Sequence, residues 1–349
     1  MSEASGKTVS ADSQTARVFE WRRGFNTIHL IDLGLKLGLF RALAEKPGSR
    51  AEDLAANLKL HSPFVAIWCR TAYGMELLDA EPDLRYRLAP FYDSILANST
   101  HPRYLGGYVT LGTGVAAEDF RLCEEAFRTG SAQPFQGRGD VFARAVGEAT
   151  QGLQVLTARK ILPNLDGMQA CLDAGGRILE VGCGTGNFLL QLGKAFQSAK
   201  VVGVDIDQDS LNVARDRVAT AGLESRVEMH RGSIAECVVP GSCDAVVMVE
   251  VLHEIAQPIR PRVVQEAATA LRSGGWMVIV DETYPTTLEE SRRPEFLFPL
   301  HTGWEELLWG NISPTRGEQE SLLRSAGLTG PIQREMVGEG FTVLTVRKT

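Results

Sequence analysis

Residues 177–192, RILEVGCGTGNFLLQL, decide the fold of this chain. An apolar strand pattern ends at Glu180 and is followed by a glycine-rich turn. A helical pattern begins near Asn187. Glycines are expected in such a turn because a ligand lies against the backbone where a Cβ would collide. By itself the GxGxG pattern is compatible with many nucleotides, and it is formed here by Gly182, Gly184 and Gly186.

From residue 176 onward, short apolar strands alternate with helical stretches. This alternation predicts an α/β domain with a doubly wound, Rossmann-like sheet. The predicted strands are RILEVG (177–182), KVVGVDI (200–206), VEMHRG (227–232), CDAVVMVEVL (243–252), WMVIVDE (276–282), PIQREMV (331–337) and GFTVLTVRKT (340–349).

The composition is that of a soluble globular protein and argues against several partners. Of the 349 residues, 44% are hydrophobic and 23% are charged, and the formal net charge is -7. An acidic chain is a poor match for nucleic acid, whose phosphates require clustered Lys and Arg. No apolar run approaches the roughly 20 residues of a membrane span, so no membrane partner is expected. The 6 scattered cysteines form no CxxC pair, which predicts reduced thiols and a cytoplasmic location.

The N-terminal part predicts a mainly helical domain. Residues 15–45 carry apolar positions at helical spacing, two further helix patterns follow, and residues 78–91 alternate like a small β-wing. This is the order of a winged helix-turn-helix. DNA binding is disfavoured because the would-be recognition helix carries a single cation, Arg70. We expect an apolar winged helix to pack against another subunit or to cover a substrate pocket.

Two acidic residues make the glycine-loop hypothesis more specific. Glu180 precedes the first glycine and can face a positively charged group. Asp205 ends the next predicted strand, where a carboxylate can accept hydrogen bonds from both hydroxyls of a ribose. A nicotinamide-binding domain would have GxGxxG spacing, which this loop lacks.

On these residues, the chain resembles the class I S-adenosylmethionine-dependent methyltransferases over residues 176–349. The resemblance implies S-adenosyl-L-methionine as cofactor and S-adenosyl-L-homocysteine as product. It implies that Glu180 and the glycine loop hold the methionine end, Asp205 the ribose, and Ile206 one face of the adenine. The next loop, where the family often has an aspartate near the adenine amine, consists here of Gly232, Ser233 and Ile234.

VEVLHEIAQP, residues 249–258, places one of the chain's 6 histidines directly after an apolar strand pattern. Such a histidine is a catalytic base, a metal ligand or a structural residue. Ligands bind outside the carboxyl ends of strands in doubly wound sheets, which favours a substrate-side role for His253. A phenolic acceptor requires a base, and an imidazole is suited to that task. Glu282 ends a predicted strand about 5 Å from its neighbour, so we expect it to orient the imidazole.

Together these features resemble the two-domain small-molecule O-methyltransferases of plants and bacteria. In that group a histidine followed by an acidic residue is the general base, which His253 and Glu254 match, and Glu282 matches a glutamate flanking the base. The resemblance also implies a second flanking glutamate near residues 311–318, which the sequence does not identify, and a homodimer with interlocked N-terminal domains.

The segment 283–311 is rich in large side chains and leaves the sheet on the substrate side. We predict that it contributes to the acceptor pocket, although helically spaced aromatic residues are also common in protein cores. The predicted acceptor contacts are Phe298, His301, Trp304 and Trp309. His253 and His301 with a carboxylate could also hold a metal, as in a related group that methylates carbon next to the ketone of 2-oxo acids. No short-spaced metal motif is present, so no metal is predicted.

The sequence thus predicts a disordered lead-in over 1–14, a winged-helix-like dimerisation domain over 15–100, a helical linker or lid over 101–170, and a methyltransferase domain over 171–349. The leading functional hypothesis is O-methylation of a small, aromatic or otherwise conjugated metabolite, with His253 as general base. The alternatives are a C-methyltransferase, with or without a metal, and a cofactor-sensing regulator that binds DNA.

Overall fold

Helices and a small hairpin form the first of two units, Met1–Thr113. The computed structural model describes residues 9–133, 137–338 and 340–349 of the chain. Buried apolar side chains such as Leu43, Trp68 and Cys69 form the core of this unit. Its elements are α1 (Ala11–Lys36), α2 (Leu39–Glu45), α3 (Ala51–Leu58), α4 (Ser62–Gly74), α5 (Gly106–Leu111) and the antiparallel strands β1 (Leu78–Ala80) and β2 (Tyr86–Leu88).

The first helical region differs from its prediction at its start and in its middle. Helix α1 begins at Ala11, inside the predicted lead-in, because Ser10 and Ser13 form a reciprocal capping box. Residues 1–8 of that lead-in lie outside the described residues. The single apolar pattern over 15–45 is divided at Gly38, whose φ of 73° separates α1 from α2.

The second unit, Gly114–Thr349, begins with short helices that precede the sheet. Residues 112–116 and 157–161 are π-helical turns that continue directly into their neighbouring helices. The boundary between the units lies inside the predicted linker 101–170, and the predicted four-part division itself stays a prediction. The helices are α6 (Ala117–Asp119), α7 (Cys123–Thr129), α8 (Gly139–Ala149), α9 (Gln151–Leu156), α10 (Leu162–Asn164) and α11 (Met168–Asp173).

The alternating part of the chain forms a sheet with helices between its strands. Its strands are β3 (Arg177–Val181), β4 (Lys200–Asp205), β5 (Val227–Arg231), β6 (Cys243–Val249), β7 (Leu271–Glu282), β8 (Gln333–Val337) and β9 (Phe341–Arg347). Its helices are α12 (Asn187–Ala195), α13 (Gln208–Thr220), α14 (Ile234–Cys237), α15 (Arg260–Ala270), α16 (Leu297–Trp309) and α17 (Arg316–Ser325).

The sheet has 7 strands in the order β5-β4-β3-β6-β7-β9-β8. Strands β3 to β7 pair in parallel, whereas β9 runs antiparallel to both β7 and β8. The chain order reverses beside β3, so the carboxyl ends of β3, β4 and β6 border one crevice. The predicted α/β fold class is confirmed, and this crevice is where a ligand is expected.

Alternate residues of each central strand face opposite sides of the sheet, and both sides are covered. Ile178 and Val247 belong to the apolar cluster on one face, which includes Phe188 of α12. Leu179 and Val246 belong to the cluster on the other face. The continuous apolar runs seen in the sequence follow from this two-sided burial. Within the described residues, no helix has the length and apolarity needed to cross a membrane.

Candidate active site

The glycine loop follows β3 and leads into α12. Its glycines have φ values of 68°, 47° and 76° at Gly182, Gly184 and Gly186, a backbone region that other residues rarely adopt. A Cβ on Gly182 would lie 2.7 Å from Val251, and one on Gly186 would lie 2.9 Å from Ala214. These two glycines are therefore required by packing against protein side chains, and the expected approach of a ligand to the loop stays a prediction. A Cβ on Gly184 would meet nothing within 4 Å, so this backbone borders open space.

Two buried carboxylates lie beside this loop. Asp205, at the end of β4, accepts hydrogen bonds from the backbone N–H of Gly184 at 2.7 Å and of Asp207 at 2.8 Å. Glu180 is 4% exposed, and its Oε2 has no hydrogen-bond partner among the described residues. Burial, reinforced by Asp205, raises the pKa of Glu180 well above its usual range. A bound cation would stabilise the ionised forms of both side chains.

The predicted adenine contacts lie at the ends of the next two strands. Ile206 follows β4 and is 60% exposed, which leaves an apolar surface at the rim of the crevice. The backbone N–H of Gly232 donates to Asp205 O at 3.1 Å, which brings the two loops together. The Ser233 hydroxyl donates to a carboxylate oxygen of Glu236 at 2.9 Å, and these two residues form the capping box of α14. Ile234 is the first residue of that helix. The Ile234 side chain is buried in the apolar core next to this loop.

His253 lies in the loop after β6, which ends at Val249, and is 3% exposed. Its Nδ1 is 2.7 Å from Oδ1 of Asp281 at the end of the neighbouring strand β7. Asp281 Oδ2 also accepts a hydrogen bond from the backbone N–H of Leu252 at 2.7 Å. The carboxylate thus fixes both the loop after β6 and the orientation of the imidazole.

The predicted orientation of the imidazole by Glu282 is wrong. Asp281 occupies the hydrogen-bonding position at Nδ1 of the imidazole, and because adjacent residues of a strand point in opposite directions, Glu282 cannot occupy the same position. Glu282 instead accepts a hydrogen bond from the Thr302 hydroxyl of α16 at 2.5 Å. Burial raises the pKa of Glu282 to about 8, although its proximity to His253 opposes the change.

A second carboxylate next to the imidazole comes from α16, earlier in the chain than expected. Oε1 of Glu306 lies 3.7 Å from Nε2 of His253, and its Oε2 accepts a hydrogen bond from the Asn311 side chain at 2.7 Å. The expected range 311–318 thus contributes Asn311, which holds the glutamate. The signal that the sequence offered was the pair Glu305–Glu306 within an otherwise apolar helix.

Arg260 is a further residue that sequence reasoning did not identify. It is 3% exposed, and its guanidinium donates to the carbonyl oxygens of Ile255 at 2.6 Å, of His253 at 2.8 Å, and of Ile312. These hydrogen bonds join the loop after β6, which contains His253, to the segment after α16.

The charges around the imidazole shift its proton equilibrium. Burial lowers the pKa of His253, but the carboxylates of Asp281 and Glu306 raise it by more, so it lies well above its ordinary value. The neighbouring Glu254 is largely buried, and burial raises its pKa well above the usual range while His253 opposes this. A catalytic role for Glu254 stays a prediction.

The predicted acceptor residues of α16 separate into different environments. Trp304 is 43% exposed and stacks on Phe120 with ring centroids 5.9 Å apart. Phe298 packs on Phe341 at 4.6 Å. Trp309 is buried, and its indole N–H donates to Asp119 at 2.8 Å, so it belongs to the core.

His301, also on α16, is exposed and is not part of the group of potential metal ligands at His253. Within the described residues, the one group of three His, Cys, Asp or Glu side chains with metal-ligand proximity consists of Glu250, His253 and Asp281, whose ligand atoms lie within 4.8 Å of one another. The metal-site alternative that paired His301 with His253 is therefore not supported by the fold.

Comparisons with known proteins agree with this geometry. Residues 178–275 match the family model described as a methyltransferase domain. The N,N-dimethyltransferase OxyT of Streptomyces rimosus is 26% identical over 281 residues, which cover 77% of this chain and 78% of that protein. The 3-hydroxy-5-methyl-1-naphthoate 3-O-methyltransferase of Streptomyces sahachiroi is 26% identical and covers 70% of each chain.

Solved structures with the same architecture extend over nearly the whole chain. The crystal structure of human N-acetylserotonin methyltransferase in complex with S-adenosylmethionine superposes with a TM-score of 0.77. The match covers 98% of this chain and 99% of that one at 18% sequence identity. A likeness at this identity shows a shared fold, including the helical N-terminal region and the C-terminal sheet.

Proposed function

We propose that this methyltransferase uses S-adenosylmethionine to methylate an oxygen atom of a small-molecule acceptor. Residues 178–275 match a methyltransferase-domain model, and a relative that covers 77% of the chain is a methyltransferase. The observation that carries the proposal is the 2.7 Å pair of His253 Nδ1 and Asp281 at the ends of neighbouring strands. A histidine oriented in this way by a buried carboxylate is the arrangement of a general base. A relative that covers 70% of this chain is named as a naphthoate O-methyltransferase, which favours an aromatic or conjugated acceptor.

The residues around the glycine loop fit the cofactor. The orphaned carboxylate oxygen of Glu180 suits a cationic group such as the methionine ammonium, and Asp205 suits the ribose hydroxyls. The open backbone at Gly184 leaves room for the ligand between them. When bound, S-adenosylmethionine supplies an electrophilic methyl group attached to a positively charged sulfur.

His253 accepts the proton of the acceptor hydroxyl at Nε2, because Nδ1 donates its hydrogen to Asp281. Asp281 fixes this tautomer and stabilises the imidazolium that forms. Glu306, 3.7 Å from Nε2, adds a second negative charge beside the same proton. Deprotonation therefore leaves the acceptor oxygen nucleophilic while the proton stays on His253.

We place the flat face of the acceptor near the exposed ring of Trp304. Stacked on Phe120, this ring has an orientation fixed by packing, which is suited to binding a planar molecule. We leave Trp309 and His301 out of this site because Trp309 is buried in the core and His301 is exposed.

The oligomeric state and location proposed for the enzyme rest on different features. A homodimer is supported by the exposed apolar residues of α1, among them Phe19, Trp21 and Phe25. A cytoplasmic location is supported by the free state of all cysteines, which are the described residues Cys69, Cys123, Cys171, Cys183, Cys237 and Cys243.

Replacement of the base provides the central test. We expect His253→Ala to lower kcat by about 100- to 10,000-fold with phenolic acceptors, as is typical when a general base is removed. Its affinity for S-adenosylmethionine, measured by isothermal titration calorimetry, should stay within about 2-fold, since no proposed cofactor contact is lost. His230→Ala, at an exposed histidine on β5, is the matched control. Full turnover by His253→Ala would disprove the base role.

A further inference from the structure

Acidic side chains surround His253 in greater number than one imidazole can neutralise. They come from the segment after β6, the end of β7 and the last turn of α16, and they are Glu250, Glu254, Asp281, Glu282 and Glu306. Among the described residues, the ion pairs of these carboxylates are formed with His253 alone, at 2.7 Å from Asp281 and 3.7 Å from Glu306. Buried carboxylates are costly unless they are paired with a cation or hold a proton.

The cationic side chain closest to this group along the chain, Arg260, forms no ion pair with it among the described residues, although Asp281 favours the charged form of Arg260. Arg260 directs its N–H groups to the carbonyl oxygens of Ile255, His253 and Ile312 rather than to a carboxylate. Glu282 and Glu306 are held by the neutral donors Thr302 and Asn311, respectively. Hydrogen bonds from neutral groups orient these side chains but supply no positive charge.

Glu250 is the member with an unused acceptor. It follows β6 with a φ of 56°, and its backbone N–H donates to Val280 O at 2.8 Å. Its Oε1 is buried and accepts no hydrogen bond from any described residue. A carboxylate oxygen of Glu250 lies within 4.8 Å of a ring nitrogen of His253 and of a carboxylate oxygen of Asp281. The Glu250 side chain is therefore next to the proposed base.

We infer that the acceptor carries a protonated amine in addition to the hydroxyl that is methylated, and that this ammonium group binds the carboxylates of Glu250 and Glu282. The inference rests on the proposed function, because it concerns the acceptor bound at the same site. An ammonium group supplies both the missing positive charge and a hydrogen-bond donor for the orphaned Glu250 oxygen. A neutral acceptor of equal size supplies neither.

The proton affinity of the cluster supports this inference. Burial, together with the nearby Glu282 and Asp281, raises the pKa of Glu250 well above its usual range, and the pKa of Glu282 is about 8. Without a cation, Glu282 therefore favours its protonated form at neutral pH, and the pKa of Glu250 is shifted in the same direction. A bound ammonium group favours their ionised forms, so binding of an amine-bearing acceptor should release protons.

A divalent metal is the competing occupant, since Glu250, His253 and Asp281 could in principle ligate one. The amine is favoured because Asp281 is already at hydrogen-bonding distance from Nδ1 of the imidazole, 2.7 Å, and holds the ring in the orientation of a base. A metal bound at Nδ1 would displace this hydrogen bond.

The test compares matched acceptors that differ in the amine alone. Tyramine is paired with 4-ethylphenol, and 5-hydroxytryptamine with 3-ethyl-5-hydroxyindole, using labelled S-adenosylmethionine and protein treated with EDTA. We expect kcat/KM to be about 10- to 100-fold higher for the amine of each pair, the effect typical of a hydrogen bond to a charged group. Glu250→Gln and Glu282→Gln should each remove most of this preference, because kcat/KM should fall by a larger factor for the amine of each pair than for its neutral partner.

Glu224→Gln, at an exposed glutamate outside the site, is the control and should keep the preference. Equal rates for both members of each pair would overturn the inference. So would an equal loss for both members in Glu250→Gln, which would indicate a structural role, or an amine preference that requires added Zn²⁺ or Mn²⁺.

Measurements of acceptor binding test this inference independently of the proposed methylation of oxygen. Calorimetric titration of tyramine into the enzyme with S-adenosylhomocysteine, in phosphate and in Tris, should show proton release that 4-ethylphenol does not cause. Preferential binding of tyramine without methylation, or with methylation at nitrogen, would support ammonium recognition and refute oxygen as the methylated atom. Absence of preferential binding and of proton release would overturn the inference even if the phenols are O-methylated.

Discussion

The pairing of His253 with Asp281 determines what the imidazole can do. Asp281 is fully buried and accepts hydrogen bonds from the imidazole and from the backbone of Leu252, so the ring has one defined orientation. The same charge, with that of Glu306, raises the pKa of the imidazole despite the opposing effect of burial. A base with a raised pKa is strong, but it is in its neutral form only at higher pH.

The pH dependence of turnover should therefore reflect this pairing. For the wild-type enzyme, kcat/KM should rise with pH through an apparent pKa above 6.5, because the proposed base must lose its proton first. Asp281→Asn removes the largest influence that raises this pKa, so the rising limb should move to lower pH while the plateau rate falls about 100-fold or more through loss of orientation. The pH–rate profiles of both enzymes check this.

Glu306→Gln is the companion variant, because it removes the second charge and retains a side chain that can contact Asn311. We expect a smaller move of the rising limb in the same direction. A rising limb that stays in place in both variants would mean that a group other than His253 controls the rate.

At the scale of secondary-structure elements, the glycine loop and α16 contribute in different ways. The loop is constrained by its own backbone and by Val251, the residue two positions before His253. The cofactor side and the acceptor side of the site are therefore in direct packing contact at Gly182. Helix α16 supplies Glu306 to the imidazole and Thr302 to Glu282, so one helix positions two carboxylates of the site.

Substitution of Gly182 tests that contact. Gly182→Ala introduces a Cβ 2.7 Å from Val251 at a φ of 68°, whereas Gly222→Ala introduces the same strain at a φ of 66° with nothing within 4 Å. Both variants should lose about 1 kcal/mol of stability from the backbone alone. Gly182→Ala should lose about 1–3 kcal/mol more and bind S-adenosylhomocysteine at least about 10-fold more weakly.

Urea unfolding and calorimetric titration measure these two effects. The double variant Gly182→Ala with Val251→Ala should recover part of the lost cofactor affinity, because the colliding methyl groups are removed. Equal affinity in the Gly182→Ala and Gly222→Ala variants would show that the contact with Val251 does not constrain the loop.

At the scale of the whole molecule, the N-terminal unit presents apolar residues that its own core does not use. Phe19, Trp21 and Phe25 on α1 are 61%, 64% and 56% exposed, whereas the same unit buries Phe40 and Trp68. Exposed aromatic residues in this number are typical of a surface that binds another protein chain.

We expect the protein to be a homodimer in solution that depends on this surface. The variant Phe19→Ser with Trp21→Ser should shift the mass measured by light scattering coupled to size-exclusion chromatography from a dimer towards the monomer of 38.0 kDa. Glu20→Ala, at an exposed residue of α1, removes no aromatic side chain and serves as the control. A monomeric wild-type protein at micromolar concentration would contradict the proposed dimer.

Much of the fold and of the cofactor side could be predicted from local sequence. The alternation of apolar strands and helices specifies the parallel sheet, because buried strands and the amphipathic helices that cover them have different periodicities. Glu180, the glycine loop and Asp205 lie within two consecutive strand–turn–helix units, so short-range order along the chain already brings them together.

The acceptor side was decided by tertiary structure. Whether Asp281 or Glu282 contacts His253 depends on which face of β7 each side chain occupies, and adjacent residues of a strand differ in just that respect. Glu306 reaches the imidazole because α16 packs beside the strand ends, and no pattern along the chain encodes that distance. The sequence alone determined a methyltransferase sheet with a histidine at its rim, whereas long-range packing decided which carboxylates surround that histidine.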